Sequence, residues 1–314
     1  MDSNYMLSIY VATYNQENYI KIALDSIFMQ KTKYSFEILV GEDCSTDGTR
    51  QVLKEYESAH AEDVRSGKLK IFYRDHNMNG RNHEDLKSRS TGKYIIALEG
   101  DDYWIDEDKI EKQIAFLESH PDYIAVAHNC VIVDENGIPT GEVYQECKQP
   151  EYTFAHYMSE IMPGQTATIM YKNIFRDNTI DISLLRKNLV PGDRLNYIVL
   201  LCNGKIYCMQ ECMSAYRHVT THGNSFSATY RYCFETERKW NREVLLYLKT
   251  KPNYSKYGDM LMVRCIMTGL RSRQCSLRMA FQCMKSVDRK FYALAMWFVC
   301  KFRQHICHQE MWMS

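Results

Sequence analysis

Leu98-Glu99-Gly100-Asp101-Asp102-Tyr103-Trp104 follows directly on an apolar run that starts at Tyr94, so a short hydrophobic segment ends abruptly in carboxylates at 99, 101 and 102. Like charges this close do not all stay ionised cheaply in a partly buried place, and a divalent cation that prefers oxygen ligands is the usual compensation. The run before the cluster has the length and composition of a strand. At a strand's carboxyl end, such a cluster points to a Mg²⁺ or Mn²⁺ site facing a phosphate-bearing substrate. The competing reading is a solvated acidic turn that caps the next helix.

Outward from this stretch, strands alternate with helices. Residues 7–12 are apolar and β-rich and lead through Thr13-Tyr14-Asn15 into a helical pattern with Ile20, Ala23, Leu24, Ile27 and Phe28 on one face. Residues 36–41 form a second strand, followed by Glu42-Asp43, a loop rich in capping residues, and a helix carrying Val52, Leu53 and Tyr56. Residues 69–73 and 94–98 are the third and fourth strands, with a loop at 77–82. An acidic first turn at 106–108 suits the start of a helix that uses Ile110, Ile114 and Leu117 and stops at Pro121. Further strands are expected at 123–133, 167–171 and 205–208, with a helix over 193–202. Beyond Ser227 only helical patterns remain. The alternation predicts an α/β fold, a mostly parallel, Rossmann-like sheet flanked by helices over residues 1–227, with a basic helical C-terminal subdomain over 228–314.

Composition sets the outer limits. A chain of 314 residues that is 45% apolar and 12% aromatic can bury one large α/β core or two smaller ones. Its formal net charge is zero, so bulk electrostatics implies no nucleic-acid partner. The average hides a basic tail, in which Arg264, Arg271, Arg273, Arg278, Lys285, Arg289, Lys290, Lys301 and Arg303 face Asp288 alone. Interleaved with Leu270, Leu277, Phe281, Met284 and Phe291, these cations make either an amphipathic surface for anionic lipid or the solvated outer face of a packed subdomain. Twelve cysteines without a C-x-x-C pair, and no signal-peptide pattern at the start, read as reduced thiols in the cytoplasm. No apolar run is long enough to span a bilayer.

Several chemistries lack their residues. Thr13 to Asn18 contains no glycine, which argues against a dinucleotide fingerprint, and there is neither a P-loop nor a complete nucleophile elbow. His305, Cys307 and His308 lack a fourth ligand at zinc spacing. What remains is a pair of acidic stations, Glu42-Asp43 and Glu99/Asp101/Asp102, at the ends of two strands on one edge of a parallel sheet, where ligands bind.

Together with Thr13-Tyr14-Asn15, this pattern resembles the family 2 glycosyltransferases with the GT-A fold. The resemblance rests on residues 8–15, 37–43 with 45–49, and 99–104, and covers roughly Tyr5 to Ser227. A bacterial branch with a GDDYW block is similar further downstream, at Gly192-Asp193, at 203–206, at Tyr216-Arg217 and at His222-Gly223. The resemblance implies that Asp43 accepts a hydrogen bond from the nucleotide base while Thr13 and Tyr14 pack on the base and ribose, with Asn15 also among the nucleotide-sugar-binding residues. Asp101 and Asp102 take the DxD-type position for the metal, with His222 as a further ligand, and Asp101 and Arg217 also contact the nucleotide sugar. Glu99 stands where the family's first aspartate would be. Asp193 takes the position of the catalytic base, although Pro191-Gly192-Asp193 is also a good helix start. Tyr103 and Trp104 suit the wall or the core.

The implied activity is inverting transfer of a sugar from a UDP-linked donor to a saccharide or lipid-linked glycan acceptor in cell-envelope polysaccharide synthesis. Its setting would be the cytoplasm, with peripheral contact at an anionic membrane. One rival is a non-catalytic nucleotide- or glycan-binding protein of the same fold. Another is a nucleotidyltransferase, which would want a basic phosphate loop in place of Thr13 to Asn18.

Overall fold

The computed structural model describes residues 5–78, 80–144, 146–187, 189, 192–218 and 231–299. By its contacts the chain divides into two compact units. The first comprises Met1–Tyr152, Met162–Ile180 and Asn203–His222, and the second Thr153–Ile161, Asp181–Cys202 and Gly223–Ser314.

The first unit is built on one nine-stranded sheet. Its centre is β1 (Leu7–Thr13), flanked by β2 (Phe36–Glu42) and β4 (Tyr94–Glu99), with β3 (Leu69–Tyr73) beyond β2, all four parallel. Nearly every residue of β1, β2 and β4 is buried, as expected of strands covered on both faces. Helix α1 (Ile20–Phe28) buries Ile20, Ala23, Leu24 and Ile27 at helical spacing, and α2 (Thr49–Ala59) buries Leu53 and Tyr56; the short α3 (Ala61–Ser66) buries nothing.

Past β4 the sheet turns mixed. The strand β8 (Met170–Lys172) runs antiparallel to β4 and to β6 (Tyr123–Val133), while β9 (Lys205–Arg217) lies parallel to β6. The two-residue strands β5 (Tyr103–Trp104) and β7 (Glu151–Tyr152) add antiparallel to β9. Helix α5 (Lys109–Ser119) packs Ile110, Ile114 and Leu117 into the core.

The structure departs from the sequence reading at four places. Helix α4 (Arg81–Arg89) occupies a stretch read partly as loop, and its only large apolar residue is the buried Leu86. Its anchor is polar, with Asn82 Nδ2 donating to the Gly41 carbonyl at 2.8 Å. Residues 166–168 form a 3-10 turn before β8, where a continuous strand was expected. The strand expected at 205–208 continues to Arg217, through exposed Gln210 and Glu211 that interrupt the apolar pattern. The pair Tyr103–Trp104 is a strand only because β9 lies beside it.

The second unit is helical in its described residues: α6 (Phe154–Met158), α7 (Gly192–Asn203, whose last residue returns to the first unit), α8 (Phe234–Lys249), α9 (Ser255–Arg271) and α10 (Leu277–Met284), followed by helical residues at 290–299. Helices α8 and α9 pack together, and their buried residues include Val244, Leu245 and Leu248 of α8 and Leu261, Met262 and Val263 of α9. Among the described residues no helix is long and apolar enough to cross a membrane.

Candidate functional site

Parallel register brings the ends of β1, β2 and β4 level. Thr13 pairs with Glu42 and Ala12 with Glu99, so the three connecting loops leave the sheet at one edge. Asp43 continues this alignment through its own N–H, donated to the Thr13 carbonyl at 3.0 Å.

The loop after β1 is stitched to the loop after β2. Asn15 N donates to Ser45 Oγ (3.0 Å), its Oδ1 accepts from Thr46 N (2.8 Å), Gln16 N donates to Thr49 Oγ1 (2.7 Å), and Glu17 Oε2 accepts from Gly48 N (2.6 Å). The Asn15 side chain therefore holds the loop rather than pointing free. Asn15 (φ 55°) and Cys44 (φ 61°) are both left-handed, a conformation that costs energy outside glycine and marks both turns as held by their surroundings. Glu42 is a strut as well: fully buried, it accepts from Arg50 Nε (2.6 Å) and from Ser45 N (2.5 Å). Of the first acidic station only Asp43 remains for a ligand, and its Oδ1 already takes the Met78 N–H at 2.8 Å. Tyr14 stands at the rim, 36% exposed.

The second station is a true cluster. Glu99, Asp101 and Asp102 each offer an oxygen within 4.8 Å of the others. Asp102 is buried; Oδ1 accepts from Arg217 N and Oδ2 from Gln165 Nε2, both at 2.8 Å. Burial pushes the Asp102 carboxyl well above the usual range, and Asp101 and Glu99 push it further, against the two donors. Burial likewise raises Asp101, opposed by the Arg217 guanidinium and a Gln16 hydrogen bond. Gly100 is required between them, since a Cβ there would lie 2.9 Å from Thr13 Oγ1.

Arg217, at the end of β9, locks the acid loop. Its Nε donates to the Asp101 carbonyl (3.0 Å), its Nη1 to the Asp134 and Glu135 carbonyls (both 2.7 Å), and its guanidinium lies 4.3 Å from the Tyr19 ring centroid. Most of its donors are thus engaged by the protein itself. Trp104 belongs to the core, 1% exposed, with its indole N–H on the Ala167 carbonyl.

The donor set fits an oxygen-coordinated divalent cation. Three carboxylates converge, and beside Gly100 the buried Thr13 Oγ1 and Gln16 Oε1 have no hydrogen-bond partner. His222 lies outside the described residues, as do His305, Cys307 and His308. Asp193 is exposed in the first turn of α7, in the second unit. Gln165, Gln16 and Tyr19 complete the site without any signal in the sequence, because each acts across long chain separations on a group that only the fold brings near.

The strained carboxyls set a pH dependence. A carboxyl held above its unfolded value contributes stability that is fully present below about pH 4 and is lost as pH rises through the raised value. Asp101→Asn keeps the shape, removes one charge, and presents an N–H to the unpartnered Gln16 Oε1. In metal-free buffer its melting temperature should match wild type near pH 4 and exceed it at pH 8, by ~2–4 °C for each kcal/mol released. Melting curves that coincide at both pH values would show that the cluster carries no such strain.

Comparisons with known proteins bear on the family and the fold. The profile of "Glycosyl transferase family 2" matches residues 8–179, more than half of the chain. An uncharacterized protein of Mycobacterium tuberculosis is 28% identical over 218 residues, covering 67% of this chain and 58% of that protein. The putative teichuronic acid biosynthesis glycosyltransferase TuaG of Bacillus subtilis is 30% identical over 225 residues, covering 71% of this chain and 82% of TuaG. This chain thus spans little more than half the length of the mycobacterial relative. Among solved structures, Staphylococcus aureus TarS 1-349, crystallised with UDP-GlcNAc, superposes with a TM-score of 0.63 at 18% identity, covering 97% of this chain and 92% of that one. With its acid-tipped sheet edge, this superposition and the profile match over residues 8–179, the chain has the GT-A fold and belongs to glycosyl transferase family 2.

Proposed function

We propose that this chain is a metal-dependent, inverting glycosyltransferase of the GDDYW-bearing bacterial branch, which moves a hexosyl or related sugar from a UDP-linked donor to a saccharide or lipid-linked glycan acceptor in cell-envelope polysaccharide synthesis. The observation that carries the reading is the cluster of Glu99, Asp101 and Asp102 at the end of β4, level with Thr13 and Asp43. Support for the envelope setting comes from TuaG, and for the UDP donor from TarS. A Mg²⁺ or Mn²⁺ ion held by Asp101 and Asp102, with Glu99 beside them and His222 as a further ligand, would supply positive charge where the departing diphosphate gains negative charge.

The chain's own residues do the rest. Tyr14 offers an exposed ring to the base, Thr13 an unpartnered hydroxyl, and Asp43 a carboxylate for a base N–H; Arg217 and Asn15 hold the loops against which the nucleotide sugar binds. Asp193 takes the proton of the acceptor hydroxyl. The acceptor oxygen bonds to the anomeric carbon on the face opposite the diphosphate while the bond from that carbon to the diphosphate oxygen breaks, its electron pair leaving with the diphosphate, so configuration inverts.

A panel of nucleotide sugars, each with Mn²⁺ and with EDTA, tests this by thermal stabilisation, since a ligand of the native state raises its melting temperature. The expected result is a rise with a UDP sugar that EDTA removes. Asp43→Ala should weaken UDP binding by about 1.5–3 kcal/mol, the worth of a hydrogen bond to a charged group, with folding intact. Because Asp43 also restrains Met78, Asp43→Asn separates the two roles: it keeps an acceptor for the Met78 N–H while losing the charge that reads the base. Undiminished UDP affinity in both variants would remove Asp43 from the site.

A further inference from the structure

The second unit exposes large apolar side chains where a surface helix normally presents polar ones. On α10, Leu277 is 80% and Phe281 68% exposed, one turn apart, while Ala280 faces inward. In the helical residues 290–299, Phe291 (90%), Ala295, Phe298 (62%) and Val299 (40%) share one outward face at i, i+4, i+7 and i+8, and Ala293 is buried. Single exposed apolar residues need no explanation, but outward aromatic ridges on two consecutive helices mark an interaction surface.

Charge identifies the partner. Between residues 271 and 290 the chain carries Arg271, Arg273, Arg278, Lys285, Arg289 and Lys290, and one acid, Asp288, which is paired with Lys249 at 3.0 Å. Arg271, Arg273 and Arg278 are exposed, with no ion-pair partner among the described residues. Lys285 Nζ lies 5.5 Å from the Phe281 ring centroid, an ammonium set directly beside the apolar ridge. A second copy of this chain packed face to face would set these cations against themselves, whereas an anionic surface pairs with them. Bulky apolar side chains flanked by lysine and arginine are the composition of a helix lying in a membrane interface.

We propose that α10 and the helical residues after it dock this chain on an anionic phospholipid surface. Leu277, Phe281, Phe291 and Phe298 enter the acyl boundary, and the surrounding cations engage head-group phosphates. Docking is independent of sugar transfer and stands or falls on vesicle binding alone.

The test is flotation of the full chain with phosphatidylcholine vesicles, with and without phosphatidylglycerol, at low and high salt. Wild type should float with the anionic vesicles only and detach as salt rises. Phe281→Glu and Phe291→Glu should each lower partitioning about tenfold or more without moving the melting temperature, and charge reversal at Arg273 and Arg278 should cost about fivefold per cation lost. The absence of enrichment on anionic vesicles at low salt overturns the proposal. So does wild-type partitioning of every variant. Self-association abolished by Phe291→Glu, with no vesicle binding, would make a second copy the occupant. A sharp fall in the melting temperature of Phe291→Glu with vesicle binding unchanged would assign the face to the chain's own residues 300–314.

Discussion

An Asp193→Asn protein is expected to fold, to bind the UDP sugar with metal as wild type does, and to transfer the sugar ~10²- to 10⁴-fold more slowly, the range for loss of a general base. In the proposed mechanism the residue acts on the acceptor's proton in the transition state, so its loss should lower turnover far more than donor affinity. Asparagine is the right replacement because it keeps the shape of the aspartate and gives up only its charge, which in the first turn of α7 costs about 0.3–1 kcal/mol. Steady-state transfer and donor titration, measured on one preparation, separate the outcomes. Near wild-type transfer would place the base elsewhere, and a variant that fails to fold would make Asp193 a helix cap. A wild type that binds UDP but transfers no sugar across a broad panel of donors and acceptors would favour a non-catalytic binding protein.

Removing Asp102 should have the second large effect: in Asp102→Ala, UDP affinity in Mn²⁺ falls to the value seen in EDTA. Two consequences oppose each other in stability. Burial and neighbouring charge disfavour the ionised Asp102, so its removal relieves repulsion in the cluster. It also leaves Arg217 N and Gln165 Nε2 without their acceptors in a buried place, at about 1–3 kcal/mol for each donor stranded. A melting temperature within several degrees of wild type is therefore expected, and Asp102→Asn, which keeps one acceptor, serves as the milder variant. Isothermal titration of UDP with Mn²⁺ and with EDTA reads the result. Wild-type affinity that EDTA does not alter would show that the cluster holds no metal.

The strands β1, β2 and β4 were legible in the sequence because parallel strands covered on both faces are nearly continuous apolar runs, and the acids that interrupt them mark the sheet edge. Helices α1 and α5 were legible by their 3.6-residue stripes. Helix α4 was not, because Leu86 is its only large apolar residue and its other ties are largely polar, such as Asn82 on the Gly41 carbonyl and Asp85 on Arg74, with no stripe to read. The strand β5 has no local signature either, since two residues become a strand only when β9 lies alongside.

The same division runs through the site. Composition and spacing singled out Glu99, Asp101 and Asp102, because three carboxylates after an apolar run are anomalous by themselves. Their strain was decided in three dimensions, by the burial of Asp102 and by donors from Gln165 and Arg217, which lie 63 and 115 positions away. Sequence could not tell that Glu42 is spent on Arg50, or that Asn15 and Arg217 brace loops with most of their hydrogen-bonding groups. The acids that define the chemistry are a local property of the chain. Which of them stay free for a ligand depends on hydrogen bonds between distant segments, and those exist only once the sheet has formed.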